Sequence, residues 1–231
     1  MTHNQKRHKR AILTLTNREF DLLELADDFG FLTTEALAST FQGNHSACYK
    51  RAHLYLTALS EGGYIRRTEP PYSRAPAPWV LTRKGADIVG GAVGHAVGLQ
   101  NWTHNLRLLG IALAIKTENP DADLKGWRRL AREEAKEHPT GKRRHLVDAI
   151  VDGIGIELEL SIKKKERYNE IFWHHSIARD YPRGVLYLTD SEAIGKRVEG
   201  AGQLLHVPTL ILPTTNLPPL EQIKAEFEAL R

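Results

Sequence analysis

The sequence predicts a mixed α/β protein in two parts, an N-terminal winged helix-turn-helix followed by a mixed α/β domain. Three observations predict it. Between Thr16 and Leu81, three helical patterns, the first two capped, lead into two short extended pieces. A glycine-rich stretch then runs from Gly90 to Trp102. Beyond it, LVDAIVDGIGIELELSIKKK, from Leu146 to Lys165, holds two apolar segments joined at Asp152-Gly153, and strand and helix patterns alternate after that.

Composition sets the limits. A content of 41% hydrophobic and 26% charged residues describes an ordinary globular chain. At 231 residues there is room for one large or two small domains. The single Cys48 excludes a disulfide framework and a cysteine-based metal site. No run of about 18 apolar residues occurs, so no membrane span is expected. MTHNQKRHKRAILTLT lacks a signal-peptide core and cleavage site, which makes the cytoplasm the expected compartment. The net charge of +4 and pI of about 9.1 are mildly basic, so the distribution of charge matters more than its sum.

Lys6, Arg7, Lys9 and Arg10 form a basic arm over residues 1–11, suited to phosphates or a minor groove and equally to a solvated tail. Residues 12–90 make the helix-turn-helix unit. Thr16-Asn17-Arg18-Glu19 is a capping box, and Phe20, Leu23, Ala26 and Phe29 mark the buried side of the helix that Gly30 ends. Thr33 or Thr34 caps a short helix through Phe41. A third helix, from about His45 to Ser60, has Cys48, Ala52, Tyr55, Leu56 and Leu59 on one face. Ser46, Lys50, His53 and Thr57 lie opposite, flanked by Tyr49 and Arg51. Extended pieces with Arg66 and Arg67, then Trp79 to Leu81, flank the proline-rich EPPYSRAPAP, which carries Arg74. In a winged helix the third helix enters the major groove, and the hairpin tip touches the backbone or minor groove. These positions make double-stranded DNA the expected partner, although a winged helix is also used to bind proteins. Thr82 caps a further helix from Arg83 to Val89.

Residues 91–103 read as a linker, with Thr103 capping a long helix from His104 to about Thr117. His104 is either a site residue or a packing residue at the junction. The second part spans 104–231. A short amphipathic piece ends in Glu133-Glu134, and a basic turn leads into the hairpin at Asp152-Gly153. In the second hairpin strand Ile156, Leu158, Leu160 and Ile162 alternate with Glu157, Glu159, Ser161 and Lys163, which predicts one dry and one charged face. Residues two apart on a strand sit about 6.5–7 Å apart, so both glutamates reach one ion. Asp148 on the preceding strand completes a pattern suited to a metal-dependent phosphodiesterase: carboxylates for Mg²⁺ and a lysine for the attacking water or the phosphate. The other reading is a hairpin with a solvated face. Helices around Tyr168–Ile177, Ser191–Val198 and Leu220–Leu230 and strands at Val185–Leu188 and Val207–Leu212 complete the chain. His174-His175 are adjacent, so their rings diverge on a helix, and no zinc motif or phosphate-cradling loop is present. No organic cofactor is expected.

The segments LTNREFDLLELADDFGFLTTEALA, YKRAHLYLTALSEGGYIRR, WVLTRKGADI, WRRLAREE and LVDAIVDGIGIELELSIKKKERY together resemble the replication-relaxation family of plasmid and mobile-element proteins. Those proteins combine a winged helix with a domain similar to the PD-(D/E)xK nuclease fold. The resemblance implies a helix acid at Glu133 or Glu134 and a strand acid at Asp148, with Val147 where the motif has proline. It implies a (D/E)xK element in one of two registers. Glu157-Leu158-Glu159 puts an acid in the lysine position; Glu159-Leu160-Ser161 puts a serine there, with Lys163 one same-face step further. On this resemblance Glu134, Asp148, Glu157, Glu159 and Lys163 are the candidate catalytic residues, and Asp148, Glu157 and Glu159 the candidate Mg²⁺ ligands. A nuclease targeted by its winged helix is one implication. A dimeric DNA-binding regulator that uses a degenerate nuclease fold for dimerisation or DNA contact is the other.

Overall fold

In the computed structural model, which describes residues 15–95, 98–139, 144–215 and 217–230, local signals set most helix ends. Helix α1 (Asn17–Phe29) starts at the expected capping box: Thr16 Oγ1 accepts the Glu19 N–H, and the Glu19 carboxylate accepts the Thr16 N–H at 2.8 Å. Gly30, at φ 91°, closes it. Phe20, expected inside, is exposed, and Leu22, Leu23, Ala26 and Phe29 form the buried stripe. Helix α2 (Thr34–Ala38) takes Thr33 as its cap and stops short of Phe41, where Ser39 and Thr40 donate their hydroxyls back to Ala36 and Leu37 carbonyls. Helix α3 (His45–Glu61) starts on Asn44 and buries Cys48, Ala52, Leu56 and Leu59. Strands β1 (Ile65–Arg67) and β2 (Trp79–Leu81) pair antiparallel, and Thr82 caps α4 (Arg83–Val89).

The stretch expected to be a free linker is tied down. Ala92 N–H donates to Asp27 Oδ1 at 2.9 Å and Gly94 N–H to Leu81 O at 2.9 Å. A Cβ on Gly91 would fall 2.4 Å from the Asp27 carboxylate, so the glycine is required by close approach. After a 3-10 turn at Leu99–Asn101, α5 (Trp102–Glu118) begins one residue before the expected Thr103 cap. Tertiary packing decides this, because Trp102 is buried and stacks on Phe31 with ring centroids 4.9 Å apart.

The main sheet has the order β3-β4-β5-β6-β7, formed by Leu124–Gly126, Ala149–Val151, Ile154–Leu158, Gly184–Leu188 and Thr209–Leu212. The first three strands pair antiparallel and the last pairings are parallel. Asp152 and Gly153 both have positive φ, 46° and 77°, the turn a two-residue hairpin prefers. β5 ends at Leu158, shorter than the alternation predicts. Glu159 N–H still donates to Leu188 O at 2.9 Å, but Leu160 and Ile162 are exposed. The alternative reading of a solvated face does not hold, since every residue of β5 is buried. Ile154, Ile156 and Leu158 pack in a cluster with α5 and the late helix α9 (Leu220–Ala229). On the other face Val185 and Tyr187 of β6 pack with α7 (Lys165–Ile177) and α8 (Glu192–Leu204).

Helix α6 (Trp127–Glu137) joins the two predicted parts. Its Arg129 holds Asp28 of α1 at 2.7 Å, and Arg132 pairs with Asp27. One apolar cluster runs from Leu22 through Trp102 and Ile156 to Phe227, so both parts share a core. Among the described residues no helix is long and apolar enough to cross a membrane.

Burial pushes the Asp28 carboxyl up to about 6, with Arg129 offsetting only part of that cost. Arg129 keeps more solvent contact, and there the ion pair wins: burial lowers its affinity for its proton, but Asp28 raises it further. Between the ordinary carboxylate value and about 6 the folded chain holds a proton that the unfolded chain releases. The Asp28 contribution is therefore complete at low pH and lost as pH rises through about 6. Urea unfolding should show the stability advantage of wild type over Asp28→Asn narrowing from pH 4 to pH 6, by up to ~3 kcal/mol; a constant difference would contradict the assignment.

Candidate functional site

Two surfaces gather the predicted residues. On α3, Ser46, Tyr49, Lys50 and His53 follow one another at helical spacing and are exposed, opposite the buried Cys48-Ala52-Leu56 stripe. Arg51 is exposed too, with its guanidinium 4.7 Å from the Phe41 ring centroid, and Arg18 sits over the same ring at 4.6 Å. On β1, Arg66 reaches the Gly94 carbonyl at 3.4 Å and Arg67 leans over Trp79. Arg74 is exposed between the two strands. Lys6, Arg7, Lys9 and Arg10 lie outside the described residues.

The second surface is a cleft of about 590 Å³ at one end of the main sheet, lined by His104, His145, Asp148, Glu157, Glu159 and Lys163 among others. Strand order explains the convergence. β4 and β5 are hairpin partners, so Asp148, just before β4, comes level with the end of β5, and its Oδ2 accepts the Leu158 N–H at 2.8 Å. His104 Nε2, from the first turn of α5, approaches the same oxygen at 3.1 Å and the Leu158 carbonyl at 3.1 Å. Lys163 folds back to pair with Glu159. Glu157 lies beside His145, whose Nε2 is 2.6 Å from its Oε1, and His175 Nε2 is 3.6 Å from that oxygen. His175, from α7, sits between two tyrosine hydroxyls, Tyr181 at 2.9 Å and Tyr187 at 3.1 Å.

Glu134 is not part of this cleft. It is buried, pairs with Arg144 at 2.7 Å, and faces a separate, smaller cavity with Arg144 and Asp180. The Glu134 helix position offers its carboxylate to a neighbouring guanidinium, because Arg144 enters from the segment before β4. Glu133 pairs with Lys125.

Charges in the cleft are set by burial and by neighbours. Burial pushes the Glu157 carboxyl upward; the His145 hydrogen bond pulls it back, and the Asp148 charge pushes it up again. Burial lowers the Lys163 ammonium, although Glu157 and Asp148 support its charge. Burial alone would lower His104, but the hydrogen bond and charge of Asp148 outweigh it and hold the imidazolium above its ordinary value. Burial brings His175 down to about 3, so this ring is neutral.

The nuclease resemblance implies Mg²⁺, which prefers an octahedral shell of oxygens. The donor types at Asp148, Glu157 and Glu159 suit it, but their arrangement does not: each carboxylate is turned to its own protein partner. Among the described residues, the side chains whose ligand atoms lie within 4.8 Å of one another are His145 with Glu157 and His175, and Glu134 with Glu137 and His138. Asp148 and Glu159 belong to neither group. The two histidines nearest Glu157 were not legible as partners, because they lie on opposite sides of it in the chain and follow no single period.

Comparison with protein-family models, curated proteins and solved structures finds no match to this chain.

The raised His104 value gives a second test. The proton that Asp148 holds on His104 in the folded chain is released more readily on unfolding. That contribution is full below about pH 6.5 and is lost as pH rises through the folded value. The stability difference between wild type and His104→Asn should shrink as unfolding is measured from pH 6 towards pH 9; a difference independent of pH would show that the pair carries no charge.

Proposed function

We propose that this chain is a cytoplasmic double-stranded-DNA-binding protein of a plasmid, phage or integrative element, acting in replication or transcriptional control. In this reading α1 to α3 and the β1–β2 hairpin form a winged helix, and α3 is the recognition helix. The observation that carries it is the two-sided character of α3. One stripe is buried in the core, and the other offers Ser46, Tyr49, Lys50 and His53 to solvent beside the exposed Arg51, Arg66, Arg67 and Arg74. Serine, tyrosine and histidine suit base edges and sugars, while lysine and arginine suit phosphates. The remainder of the chain is read as a domain of the PD-(D/E)xK nuclease-like type used for dimerisation or DNA contact. A homodimer would place two recognition helices on half-sites of an inverted repeat.

The test is fluorescence anisotropy on duplex DNA across a salt series. Lys50→Ala with Arg51→Ala should weaken binding at least ~10-fold and reduce the slope of log K against log salt by about 2. Binding that survives both changes would rule out α3 as the DNA-reading helix.

A second reading, a metal-dependent DNA endonuclease or nickase, is favoured by one observation: Asp148, Glu157, Glu159 and Lys163 line a single cleft. Supercoiled plasmid incubated with Mg²⁺, Mn²⁺ or EDTA decides between the two. A mobility shift without cleavage in any lane is expected. Nicked or linear product in the metal lanes that Asp148→Ala abolishes would make the protein a nuclease.

A further inference from the structure

Three features outside the DNA-binding reading invite a ligand. An apolar cavity of about 620 Å³ lies between α5, the sheet and α9, but its mouth, with Arg107 and Asp190 paired to each other, selects no ligand chemistry. The group at Glu134, Glu137 and His138 is exposed at two of its three positions, and Glu134 is already committed to Arg144. The third feature is different in kind. Two imidazoles and one carboxylate converge from three separate segments, at His145, Glu157 and His175.

We propose that His145, Glu157 and His175 form a three-ligand site for a divalent transition-metal ion of the zinc class, with its open side towards the cleft. The proposal rests on geometry and donor chemistry and is independent of the DNA-binding reading. The three ligand atoms lie within 4.8 Å of one another, with His145 Nε2 and His175 Nε2 at 2.6 Å and 3.6 Å from the same Glu157 oxygen. Ligands about 2.0–2.2 Å from one ion are separated by spacings of this order. Two nitrogens and one oxygen favour Zn²⁺ and similar borderline ions, whereas Mg²⁺ and Ca²⁺ favour oxygen alone.

The surroundings supply what such a site needs. Glu157 and His175 are buried, 9% and 5% exposed, so water does little to balance the carboxylate, and a cation held between it and the His145 imidazole is favoured. His175 is oriented from behind: its Nδ1 edge meets the Tyr181 hydroxyl at 2.9 Å, while its Nε2 lies 3.6 Å from the Glu157 oxygen and 3.1 Å from the Tyr187 hydroxyl, a hydrogen bond that the ion would replace. A hydrogen bond to the far nitrogen of a metal-bound histidine fixes its tautomer and its orientation. His145 is half-buried and lines the cleft, which provides an entry path. Three protein ligands leave a coordination position for water or for an oxygen of a bound phosphate, beside Asp148 and Lys163.

The experiment titrates the EDTA-treated, dialysed full chain with Co²⁺, read by its visible d–d absorption, and then with Zn²⁺ in competition. One Co²⁺ per chain is expected, displaced by Zn²⁺ and not by excess Mg²⁺. His145→Ala, checked for folding by circular dichroism, should weaken binding by about 100-fold or more, and Tyr181→Phe by about 10-fold through loss of the His175 support. Glu137→Ala and the double change His3→Ala, His8→Ala should leave it unmoved. The proposal is overturned if no d–d band develops, if His145→Ala and Tyr181→Phe bind as wild type does, or if the Glu137 or the His3 and His8 changes remove the signal.

Discussion

The burial of acidic side chains at one end of a two-sided sheet governs the rest of this structure. β5 is covered on both faces, yet Glu157 and Glu159 sit at its end and Asp148 lies level with them. A buried carboxylate without a partner costs several kcal/mol or stays protonated. Each acid therefore draws a cationic or N–H donor partner from a different element: His145 for Glu157, Lys163 for Glu159, and the Leu158 N–H with His104 for Asp148. Those partners line the cleft, and His104 ties the first turn of α5 to the end of β5.

The same requirement recurs at the junction of the two parts. Asp27 and Asp28 at the end of α1 are almost fully enclosed and meet Arg132 and Arg129 of α6. A buried ion pair contributes little net stability against an apolar replacement, but it penalises every arrangement that separates its members. With the Gly91–Gly94 strap laid against Asp27 and Val80, it sets the orientation of α1 relative to the sheet. The consequence for function is geometric. α3 packs on α2, which packs in turn on α5, and α1 packs on α4, α5 and α6, so the exposed face of α3 and the cleft are carried by one packed set of helices.

Much of the fold was legible because its signals are local. The Thr16 capping box, the Thr82 cap, the Asp152-Gly153 turn and the buried stripe of α3 each depend on residues within a turn or two of one another. Elements failed to read where tertiary contacts overrode local pattern. β3 has three residues, Leu124-Lys125-Gly126, too few for a period, and exists because β4 pairs with it. The alternation Ile156 to Lys163 is a strand pattern throughout, but β6 supplies ladder partners only as far as Leu158, with one further bond to Glu159. Gly91 and Gly94 read as freedom and are instead close approach.

The sequence by itself determined the helices, the hairpin, the polar face of α3 and the presence of acids at one strand end, because those depend on spacing along the chain. Only the tertiary structure decided which acids share a site and what faces them. Glu134, the eighth residue of α6, is taken by Arg144, and Glu157 is joined by His145 from before β4 and His175 from α7. These partners are 10 to 18 positions apart and belong to different elements. Strand order and helix packing bring them together, and no periodicity in the chain records that.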